Sequence, residues 1–217
     1  MLRPFAFGVC CWLACGFSAG TLEPEAVVVD EVVAVVETTP LLSSDLELAH
    51  LVELVPRADR EGVEAYRSRL LDARIRLELQ FLDLAATAAL YRLEPDVDGA
   101  LAAFEARAGG AEALAAGLAL AGLQPADVEA LALRVAAAEA YVEQRLRPRL
   151  TLGLEDLEQA YDELVVRPMV ARGEQPPPLV EVRDQVSRLV VERQLTVEVE
   201  AWLAQVTARY EVTRFTR

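Results

Sequence analysis

With 217 residues, 53% of them apolar and 26% charged, the chain is long enough for one substantial domain or two small ones and has ample surface to bury, which excludes general disorder. Its 35 acidic and 21 basic residues leave a net charge of −14, which repels a phosphate backbone, so nucleic acid is not an expected partner. Lys and Asn never occur, every basic residue is Arg, and Ile75 is the single isoleucine; this bias is the signature of a GC-rich genome rather than of a functional surface.

The first 20 residues predict a secretory signal peptide. Arg3 is the single charge before Glu23, residues 5–17 are an apolar run too short to span a bilayer, and Ser18-Ala19-Gly20 offers small residues for cleavage. Cys10, Cys11 and Cys15 all lie inside it. An exported, periplasmic chain processed at this point holds no disulfide, thiolate nucleophile or Cys metal site. Trp12-Leu13-Ala14-Cys15 leaves an alternative open, a lipoprotein-type box with lipid on Cys15, although Trp12 stands where Leu is expected. No later apolar run reaches about 20 residues, so no membrane span is expected.

Residues 21–171 are expected to form a helical body. Val-rich residues 31–37 predict a strand, Thr38-Thr39-Pro40 breaks it, and Leu41-Leu42 returns antiparallel. Ser44 and Glu47 have capping-box spacing for a helix to about Val55. The longest helix of this body is predicted over residues 60–93. One stripe is Val63, Tyr66, Leu70, Ala73, Leu77, Phe81, Leu84 and Ala88; a second is Leu71, Ile75, Leu79 and Leu82, so two faces need cover. Pro95 opens a helix over residues 96–107 that Gly109-Gly110 ends, and residues 111–121 form an Ala-rich helix closed by Gly122. Pro125 opens another, ended near Pro148, and Leu154, Leu157, Tyr161 and Leu164 mark the next. Residues 172–178, with three consecutive prolines, read as a stiff linker. A long helix over 179–208 and an alternating strand over 209–215 complete the chain. The expected fold is mainly α, with a small antiparallel sheet made by the N-terminal hairpin and the C-terminal strand.

The order of these pieces resembles the SurA-like periplasmic chaperones. The carrying residues are Val32-Val33-Ala34-Val35-Val36, Leu42-Ser43-Ser44-Asp45-Leu46, Glu94-Pro95-Asp96-Val97-Asp98 and Ala121-Gly122-Leu123. Arg145-Leu146-Arg147-Pro148-Arg149-Leu150-Thr151 running into Leu154-Glu155-Asp156-Leu157, then Trp202 and the closing strand, follow in the same order. The order of the motifs carries the resemblance. The resemblance implies a multi-helix chaperone core. It also implies an ATP-independent holdase that binds unfolded exported or outer-membrane proteins, without a cofactor. Relatives usually carry parvulin prolyl isomerase domains before the last helix. Here residues 172–178 hold that place, so isomerase activity is not expected. The alternatives are a non-catalytic adaptor with one fixed partner, and a degenerate member of the isomerase class.

No catalytic constellation is expected. His50 is the single histidine, so neither a triad nor a metal site assembles around it. Asp96 with Asp98, and Glu155 with Asp156, fall at helix starts, where they complement the macrodipole. Gly109-Gly110 is a turn, and the GxxxxGK[ST] phosphate loop is missing. The expected client-contact residues are Tyr91, Phe104, Leu114, Leu118, Tyr141, Tyr161 and Trp202, lining an apolar groove with acidic margins. An extended client is also expected at the edge of the terminal sheet. Exchange of the C-terminal helix between two copies is a further expectation, given the stiff linker before it.

Overall fold

The computed structural model describes residues 30–215, so the signal-peptide and lipoprotein expectations lie outside the described residues. The chain is mainly α with one small antiparallel sheet. β1 (Val32–Val36) and β2 (Thr39–Leu42) form a hairpin, and β3 (Val212–Arg214) pairs with the other side of β1, in the order β2-β1-β3. Branched valines favour extended backbone in β1. The turn falls at Glu37-Thr38 rather than over residues 38–40, with Glu37 in the left-handed region at φ 56°. Pro40 therefore lies inside β2, which tolerates it because β2 is an edge strand. A register shift between Val32 and Ala34 buries both Val33 and Ala34 and leaves Val32 exposed.

β2 feeds directly into α1 (Ser43–Leu51), which starts too early for a box between Ser44 and Glu47. The Asp45 carboxylate accepts the Leu42 N–H instead, at 2.8 Å, while Ser44 bonds Asp30 through both its amide and its hydroxyl. α2 (Val63–Ala86) is shorter than residues 60–93, and Val63 is exposed rather than part of the buried stripe. Thr87 caps it, Ala88 follows at φ 54°, and a 3-10 turn spans Leu90–Arg92. Gly122 takes the same left-handed role after α4 (Ala111–Ala121) without a Cβ penalty. Ala88→Gly is accordingly expected to raise stability by about 1 kcal/mol. An unchanged urea midpoint would show Ala88 to be unstrained.

Asp96 caps α3 (Val97–Arg107) by accepting the Gly99 N–H at 2.9 Å. α5 (Pro125–Tyr141) runs on through a π-helical turn, Val142–Leu146, and a 3-10 turn, Arg147–Arg149. α6 (Leu154–Tyr161) runs through a second π turn, Asp162–Val166, into α7 (Arg167–Ala171). Each π turn ends two residues before a proline, Pro148 or Pro168. Proline supplies no N–H and its ring strikes the carbonyl four residues back, so the widened turn carries the helix past that clash. α8 (Leu179–Thr207) then leads into β3.

Three apolar clusters hold these elements together. The first joins the inner face of the sheet to α2, the end of α5 and the second half of α8, through residues such as Val36, Leu70, Leu84, Leu195 and Val206. The second joins α1, α2, α3, α4 and α5 around Phe104. The third is smaller, with Leu157 and Ala160 of α6 against Val186 and Val190 of α8. α2 is common to the first two and buries Tyr66, Leu70, Ile75, Leu77, Leu79 and Leu84, each fully buried leucine or isoleucine contributing roughly 1.5–3 kcal/mol.

Candidate functional site

The seven residues expected to contact clients do not line one cleft. Phe104, Leu114 and Leu118 are buried in the second cluster, with Phe104 0% exposed. Trp202 is buried in the first cluster, and Tyr141 stacks on it with ring centroids 4.4 Å apart. Tyr161 packs on the third cluster and its hydroxyl donates to the Pro177 carbonyl at 2.6 Å, pinning the proline-rich connection to α6. Tyr91 alone of the seven is exposed, at 87%, on the 3-10 turn after α2. Burial thus corrects the expectation for Phe104, Leu114, Leu118 and Trp202: they hold helices together inside two separate clusters and line no common cleft. Large apolar side chains at helical spacing look identical in sequence whether they face a core or a groove.

Sequence reasoning also missed four polar side chains buried on α2, namely Arg74, Glu78, Gln80 and Asp83. Glu78 accepts from Arg134 Nε at 2.7 Å, and Arg134 lies over the Phe81 ring. Arg74 donates through Nη2 to Asp45 at 3.2 Å, while its Nε and Nη1 find no acceptor. Burial holds the Arg74 guanidinium below its ordinary pKa; the charges of Asp45 and Glu78 oppose that shift. Asp83 ties α2 to α8: Trp202 Nε1–H donates to Oδ2 at 3.0 Å, and Arg209 lies 2.7 Å from Oδ1. That tie fixes the end of α8 at Thr207 and, five residues beyond, the start of β3 at Val212.

Beside β3 lies a groove of about 620 Å³. α2 contributes Asp72, Ile75, Arg76 and Leu79, α8 contributes Leu203 and Thr207, and β3 contributes Val212 and Arg214. Its floor is the outer edge of the core: Ile75, Leu79 and Leu203 are only 4%, 3% and 8% exposed, and Asp72, Arg76, Thr207 and Arg214 make up the rest of the lining with Val212. Its charged margin is paired, Arg214 with Asp72 at 2.5 Å and Arg76 with Glu200 at 3.2 Å.

The strand parity decides what this groove borders. Glu37 N–H donates to the Glu211 carbonyl at 2.8 Å, and Phe215 N–H donates to the Val33 carbonyl at 3.0 Å. With Thr213 opposite Val35 in the same register, the odd-numbered residues 211, 213 and 215 turn their peptide groups toward β1. Val212 and Arg214 turn theirs outward, and no strand among the described residues pairs with that edge. The opposite edge, on β2, is blunted by Pro40. The alternation of residues 209–215 was visible in sequence, but its parity depends on the β1 register.

Among the described residues, no helix is long and apolar enough to cross a membrane, and no group of three or more His, Cys, Asp or Glu side chains is placed to hold a metal ion. His50 Nδ1 lies 3.3 Å from the Tyr66 hydroxyl, which donates to the Val55 carbonyl. No family model matches the chain, and no curated protein matches it.

Proposed function

We propose that the chain is an ATP-independent holdase for unfolded or partly folded exported polypeptides, outer-membrane β-barrel precursors among them, working in the periplasm as the SurA-like resemblance implies. The observation that supports this reading best is the mixed apolar and charged groove along an open sheet edge. Unfolded β-rich chains fail by joining one another through bare edges and apolar side chains. A groove that meets both needs weakly keeps such chains apart without changing their bonds, and releases them when their own folding competes. The residues assigned to contact are those beside β3, in place of the buried aromatics.

The purified chain at several-fold molar excess is expected to suppress the light scattering of a chemically denatured β-rich client on dilution, with no nucleotide present. No suppression would refute the proposal. Recovery of a single stoichiometric partner from an exported-protein extract, with no effect on denatured clients, would favour a dedicated adaptor instead.

A further inference from the structure

Resting on the reading of the chain as a polypeptide binder, we infer that the occupant of the groove is an extended segment that adds to β3 as a fourth, antiparallel strand, with apolar residues at alternate positions. Two observations carry this. The outward N–H and C=O groups of Val212 and Arg214 form a ready edge whose complement is another peptide backbone. The side chains of the same two residues share the sheet face of Ala34 and Val36, which packs on α2, and they line the groove together with Ile75, Leu79 and Leu203.

These facts are linked by strand geometry. In an antiparallel ladder, the residues directly opposite Val212 and Arg214 exchange hydrogen bonds with them and project side chains to the same face. The incoming residues that bond β3 are therefore those whose side chains enter the groove. Intervening residues face solvent and turn their N–H groups away. The recognised class is an amphipathic strand of alternating pattern, read through its backbone, with side-chain identity free within the limit of being apolar. Both arginines of the lining are already matched by carboxylates, Arg214 by Asp72 and Arg76 by Glu200, so the charge of the incoming segment is left open. Among the described residues only Val212 and Arg214 offer outward bonds, so binding through them is weak and reversible.

The test uses the full chain and a short, terminally blocked peptide in which Leu alternates with Ser and Gln. N-methylation of the Leu amides is expected to weaken binding about tenfold or more, by removing bonded N–H groups. N-methylation of the Ser and Gln amides is expected to leave affinity within about twofold. Peptide addition should slow hydrogen exchange at the Val212 and Arg214 amides and leave Thr213, already bonded to β1, unchanged. Val212→Pro removes an outward N–H that β1 does not use, and should abolish peptide binding while circular dichroism shows the helices intact. Equal effects of the two methylation patterns, or the opposite pattern, overturn strand addition. So does a peptide-free dimer with both amides already protected, which assigns the edge to a second copy. If Val212→Pro still suppresses client scattering as well as the parent chain, strand addition fails while the holdase reading stands. If no polypeptide binds at all, both fail.

Discussion

Replacing Glu78 by Ala is expected to destabilise the fold by about 3–5 kcal/mol, read as a fall in the urea midpoint at unchanged slope. Glu78 is 2% exposed and bonds Arg134, whose side chain is itself mostly covered. Its charge is also one of two that offset the burial of Arg74. Removing it therefore leaves the Arg134 guanidinium with only the Ala130 carbonyl and weakens the support of Arg74, which already leaves two N–H groups without acceptors. Glu78→Gln keeps the volume and one acceptor oxygen for Arg134, and should lose distinctly less. Replacing Glu78 and Arg134 together by leucine should not restore stability, because Arg74 remains buried. A loss below about 1 kcal/mol for Glu78→Ala would show that the three charges do not act as one network.

Phe104→Ala is expected to cost about 3–5 kcal/mol as well, but by a different route. The ring is fully enclosed among Leu48, Val52, Leu114, Leu118 and Leu131, so its removal leaves a cavity where four helices meet. Arg107 lies over the ring at 5.1 Å and donates to the Val52 carbonyl at 2.9 Å, so the deletion also loosens the clamp between α3 and the end of α1. Calorimetry should show the loss. At a temperature where the variant is folded, client suppression should match that of the parent chain, since the groove beside β3 is built from the other cluster. Selective loss of client binding by stable Phe104→Ala would return Phe104 to the role the sequence suggested.

Much of the architecture was legible because its punctuation is local. Glycines at 109, 110 and 122 bracket α4 at the boundaries expected, and the end of α8 falls within one residue. The pairing of the terminal strand with the hairpin was legible from economy, since a lone hairpin is marginal. Details that depend on neighbours were not. Val63 carries the right spacing for a buried stripe, but it sits at the first turn of α2, where nothing lies above it. Arg74 and Glu78, four residues apart, have the pattern of a solvated pair; they are buried because α1, α5 and the sheet close over that side of α2. The groove was illegible for a related reason. Ile75 and Leu79 read as core and are core, and that their cluster also borders a groove is set by where α8 stops and β3 begins.

The pairing of Val32–Val36 with residues 212–214 has a kinetic consequence. A nascent chain exposes one flank of its five-residue uncharged valine run until nearly the last segment of the described length arrives. Ring closure over so long a span is slow, since its entropy must be lost before the contact forms. During that interval the run is a template for self-stacking, and truncations before residue 212 should pass into fibrils more readily than the intact sequence.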